Sequence, residues 1–138
     1  MQECKPSGRS HQMRIKFAIA AAAICFSFAA HAANWKLVST SKNVQFFVAI
    51  DTVKRSGNVV DYWTKKVYTP AKSWKSVTYS YTVTHDDVDC ARRTWHSRSI
   101  TAYDDSGAVV GSATDDHEWK EIVPETNMDA VASRLCRS

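Results

Sequence analysis

The chain has 138 residues, 44% of them hydrophobic and 11% aromatic, with 18 basic and 14 acidic residues for a formal charge of +4. Such a length supports one core, and the hydrophobic share is that of a folded domain and not of a disordered tail. Only four glycines are present, too few and too scattered for a glycine-rich phosphate loop.

Residues 1–32 read as a secretory signal peptide. Lys5, Arg9, Arg14 and Lys16 form a basic region, FAIAAAAICFSFAA (17–30) an apolar one, and Ala30-His31-Ala32 a small-x-small cleavage site. The apolar run is shorter than the roughly 20 residues a membrane-spanning helix needs. MRIKFAIA opens like a bacterial leader, so translation is expected to start at Met13. Cys25 follows Ile24 where lipid modification wants a small residue, so a lipoprotein is not expected. The leader holds four of the 18 basic residues and one of the 14 acids, which leaves about +1 on the mature domain, 33–138. No polybasic run remains, which argues against nucleic acid as a partner. The expected location is periplasmic or secreted.

In chain order, WKLVS (35–39), VQFFVAI (44–50), VVDYWTKKVY (59–68), VTYSYTVT (77–84), RTWHSRSITAY (93–103) and VVGSA (109–113) read as strands. The fourth is the cleanest, with Val77, Tyr79, Tyr81 and Val83 on one face and hydroxyls on the other. SKN (41–43), RSGN (55–58), TPAKS (69–73) and DDSG (104–107) supply turn chemistry, so an antiparallel meander of six strands is predicted. After Pro124, Met128, Val131, Ala132 and Leu135 fall at helical spacing, with Thr126 as N-cap and Asp129 completing a weak capping box. The fold class is therefore α+β. Cys90 and Cys136 are the two cysteines left after export, and one disulfide between them would pin the helix across the sheet.

The stretch YTVTHDDVDCARR (81–93) is the most suggestive of chemistry. A calcium loop fails on spacing, because the twelfth position counted from Asp86 is Ser97 where a glutamate is needed. Zinc would need Cys90 as a thiolate with His85 and either His96 or His117, and export favours the oxidised cysteine. The acids are instead expected at a solvated strand end, pairing with Arg92 and Arg93. No G-x-S-x-G and no C-x-x-C occurs in the mature part. No catalytic residue, metal or cofactor is predicted.

Aromatic residues are abundant, and most are expected in the core. In 59–68 they fall on both faces, and one face then needs a partner, either a second copy or a ligand protein. Tyr62, Trp63, Lys65, Lys66, Tyr68 and Trp74 are the predicted partner-binding group, aromatic anchors beside cations, with Trp74 placed in a loop.

NWKLV at the mature start, FFVAID (46–51), SGNVVDYW (56–63), DCARR (89–93) and WKEIVP (119–124) ahead of a terminal cysteine together resemble the surface-adhesin protein E family of Gram-negative bacteria. The resemblance implies an antiparallel sheet braced by a helix. It also implies an adhesive role toward host extracellular-matrix proteins and a dimer, as in the member that named the family. That founding adhesin is a surface lipoprotein, from which this chain departs in lacking a lipobox. A periplasmic inhibitor of an enzyme such as a lysozyme, inserting the turn DDSG (104–107), is the second binding reading. A small envelope enzyme is the third.

Overall fold

The computed structural model describes residues 32–114 and 118–137. Residues 1–31 of the expected leader, and His117, lie outside them. Eight strands form one antiparallel sheet: β1 (Trp35–Ser41), β2 (Val44–Ala49), β3 (Lys54–Ser56), β4 (Val59–Trp74), β5 (Val77–Asp89), β6 (Thr94–Tyr103), β7 (Val109–Thr114) and β8 (Lys120–Glu121). One helix, α1 (Asn127–Leu135), follows. The sheet order is β1-β2-β4-β5-β6-β7, with β3 added to the start of β4 and β8 to the start of β6. The six expected strands are all present, and β3 and β8 raise the number to eight. Both additions are too short for periodicity to reveal them.

A second departure is larger. TPAKS (69–73), expected as a turn, lies inside β4, which runs to Trp74. The ladder with β5 skips between Val67 and Lys72, an irregularity that absorbs Pro70, a residue with no N–H to give a ladder. The actual reversal is at Lys75 and Ser76, where Lys75 takes the left-handed conformation with φ 54°. Trp74 therefore ends a strand and does not lie in a loop.

Alternation along β4 and β5 gives the sheet two different faces. The inner face carries Val48 from β2, Val60 and Tyr62 from β4 and Val88 from β5, all with no exposure to solvent. Above them lie Met128, Val131, Ala132 and Leu135, the predicted apolar stripe of α1. Thr126 caps this helix, its hydroxyl accepting from the Asp129 amide at 3.2 Å. Asp129 does not close the expected box on the Thr126 amide, since its carboxylate accepts from the Glu125 amide at 3.0 Å. At the other end the Arg55 guanidinium donates to the Leu135 carbonyl at 2.6 Å, and Cys136 is bonded to Cys90. The helix is thus held to the sheet at its cap, along its stripe and by a covalent link.

Candidate functional site

α1 covers only part of the inner face. Next to the covered core runs a buried polar seam built on Asp86, which has no solvent exposure. Thr64 and Thr84 donate to its Oδ2 at 2.9 and 2.8 Å, and Ser97 donates to its Oδ1. Lys66, next along β4 on the same face, stands with its ammonium 5.4 Å from the Phe46 ring. Burial pushes the Lys66 pKa down, and the charge of Asp86 partly opposes that. Burial likewise raises the Tyr62 pKa, with Asp86 and then Asp87 adding to it. A carboxylate in the interior is tolerable here because three hydroxyls satisfy it.

Beyond the seam the inner face is open. Tyr68, Trp74, Val77, Tyr79, Ile100 and Ala102 line an apolar cavity of about 310 Å³ together with Gly111 and Ala113 of β7. Tyr68 and Tyr79 meet edge to face at 5.5 Å, and Trp74 is 68% exposed. A wider groove of about 600 Å³ between β1 and α1 is lined by Leu37, Val38, Ser133, Arg134 and Arg137 and is more polar.

The outer face is different again. Trp63 and His85 stack flat at 4.4 Å, Tyr81 and Tyr103 at 4.7 Å, and the Lys65 ammonium stands 4.6 Å over Tyr81. His85 Nε2 lies 2.9 Å from Asp61, and Arg98 bridges Asp61 and Asp87, its guanidinium donating to both carboxylate oxygens of Asp87 at 2.7 and 2.9 Å. These contacts, led by the Asp87 hydrogen bond, raise the Arg98 pKa.

The acids of HDDVD are therefore not at a solvated strand end. β5 continues to Asp89, and Asp86, Asp87 and Asp89 are all buried. Asp89 accepts from the Ala91 and Arg92 amides and from the Arg92 side chain. Arg92 thus pairs as expected, whereas Arg93 pairs across to Asp129 on the helix. The run of acids misled because its alternation continues that of Tyr81–Thr84, sending Asp86 inward and Asp87 outward; Val77 and Tyr79, expected on one face with Tyr81 and Val83, instead face the inner cavity, because the ladder with β4 shifts register between them and Tyr81. Among the described residues no group of three His, Cys, Asp or Glu side chains is placed to hold a metal ion.

The predicted partner-binding group does not form one patch. Tyr62 is core under Met128, with its hydroxyl 3.5 Å from Sδ. Trp63 and Lys65 are on the outer face, while Lys66, Tyr68 and Trp74 are on the inner one. Sequence reasoning missed the Asp86 seam and the outer pairs of Tyr81 with Tyr103 and Trp63 with His85. Such pairs need cross-strand register, which a single strand does not reveal.

A family model described as surface-adhesin protein E matches residues 35–137. The chain belongs to the surface-adhesin protein E family. The match spans the whole sheet, the helix and both bonded cysteines, so the family's layout is that of the folded part. No curated protein and no solved structure matches the chain. Among the described residues no helix is long and apolar enough to cross a membrane.

Proposed function

We propose that this member of the surface-adhesin protein E family is an exported, non-enzymatic protein of the cell envelope that captures a protein partner on the outer face of its sheet. The observation that carries the reading is the outer pair of stacks, Trp63 on His85 and Tyr81 on Tyr103, with Lys65 over Tyr81. Half-buried aromatic rings held in place by neighbours are the residue type that dominates binding energy, and flanking cations set association rate and salt dependence. The family resemblance suggests host extracellular-matrix proteins as the partner class. It also suggests a homodimer, a second copy being the competing occupant of this face. Export rests on the leader pattern, with cleavage between Ala32 and Ala33.

The test is capture on a panel of immobilised matrix proteins by the domain 33–138, with Trp63→Ala and Tyr81→Ala as variants. Loss of capture at unchanged thermal midpoint supports the reading. Capture that survives both substitutions removes the outer face from the function. Sedimentation of the same variants reports the competing occupant: a wild-type dimer that both changes turn into a monomer assigns the face to self-association. Intact mass of the periplasmic protein checks the cleavage position.

A further inference from the structure

The open half of the inner face has features that a protein-docking surface does not need. It is a concave cavity, not a plane, and its volume of about 310 Å³ is that of a small-molecule site. Its floor and walls are aliphatic and aromatic, and its hydroxyls are those of Thr82, Ser112 and the two tyrosines, Tyr68 and Tyr79. Among the described residues no carboxylate belongs to its lining, while two ammonium groups stand against its aromatic walls. Lys72 Nζ is 5.0 Å from the centre of the Tyr68 ring, and Lys75 Nζ is 4.9 Å from that of Trp74. Both lysines lie at the end of the β4–β5 hairpin and are exposed, each against a ring that lines the cavity. An apolar chamber with cations against its lining rings and, among the described residues, no acid in its wall is complementary to one kind of ligand, an apolar chain ending in an anion.

We propose that this cavity binds a single free fatty acid, its chain against Tyr79, Ile100, Ala102 and Gly111 and its carboxylate toward Lys72 and Lys75. The chain would displace water from the aliphatic floor, which α1 covers at the opposite end of the face but not here. The carboxylate would remain partly solvated between two flexible cations. A neutral chain of equal length loses the second interaction, and a cationic one is repelled.

Gly111 offers a way to close the cavity without straining the fold. It faces Ala102 across the β6–β7 ladder, and a Cβ placed on it meets nothing within 4 Å. Gly111→Leu should therefore fill the chamber at little cost. The probe is dodecanoate, titrated calorimetrically into the domain below its micellar concentration, with dodecanol and dodecyltrimethylammonium as neutral and cationic comparisons. Saturable binding of one dodecanoate per chain is expected, at least tenfold tighter than dodecanol. Gly111→Leu should abolish it. Lys72→Gln with Lys75→Gln, a surface change that keeps the fold, should weaken dodecanoate at least tenfold and leave dodecanol unchanged. The proposal is overturned by absence of saturable binding to the wild type. It is equally overturned by binding that survives a folded Gly111→Leu, by equal affinity for the ammonium compound, or by capture on phosphatidylglycerol vesicles without any binding of monomeric dodecanoate.

Discussion

The two halves of the inner face share strands β4 and β5 and differ in what lies over them. At one end Val48, Val60, Tyr62 and Val88 are wholly buried under α1. At the other, Tyr68 continues the inward alternation of β4, Tyr79 and Ile100 reach the same face past irregularities in the ladders, and all three remain partly in water, with Trp74 largely exposed. Between them Asp86 and its hydroxyls form a polar boundary. The difference teaches that alternation specifies which side chains can be buried, whereas the reach of a nine-residue helix decides which of them are.

That contrast is broken most severely by removing a wall of the covered half. Tyr62→Ala should cost about 4 kcal/mol in chemical denaturation, because a fully buried ring leaves a cavity under Met128. Tyr68→Ala, the next but two inward-facing residue on β4, should cost far less, since its ring borders a cavity already open to solvent. Equal losses at the two positions would contradict the division of the face.

Releasing the helix should do nearly as much. Cys90→Ser removes a link across a sequence separation of 46, worth roughly 4 kcal/mol on a chain-entropy model and less where the unfolded chain keeps structure. Non-reducing peptide mapping and denaturation of the variant measure it; a variant as stable as the wild type would mean that the helix stripe alone holds the covered half together.

The boundary itself is the third target. Asp86→Ala deletes the acceptor of three hydroxyl hydrogen bonds in the interior and should cost about 3 kcal/mol. If Asp86→Ala is neutral, the seam is not a structural divide between the halves.

Acid should loosen the covered end through Asp89, which fixes the turn carrying Cys90. The Arg92 amide, then the Arg92 side chain and the Ala91 amide, hold the Asp89 pKa below the ordinary carboxylate value. A folded pKa below the unfolded one gives stability that is fully present above about pH 4 and lost as pH falls through the folded value. Asp89→Asn should therefore flatten the acid limb of a stability profile, and an unchanged slope below that pH would remove Asp89 from the account. The smallest effect is expected at the open end, where Trp74→Ala should change stability by no more than about 0.5 kcal/mol. A larger loss by thermal melting would make Trp74 part of the core.

By itself the sequence determined the six longer strand segments, where the helix starts, which cysteines are bonded and to which family the order of motifs is similar. Each is a local signal: period two in 77–84, period 3.6 in 128–135, Thr126 at a helix entrance, and a pair of cysteines with no competitor after residue 32. It did not reveal β3 and β8, whose two or three residues are too short to show a period, nor the passage of β4 through Pro70. Only the tertiary structure decided that Asp86, Asp87 and Asp89 are buried, that Tyr62 is core while Trp63 faces outward to His85, and that Tyr68 and Trp74 wall a cavity. The physical reason is that burial and pairing depend on register between strands and on where α1 lies, and neither quantity is carried by any one segment.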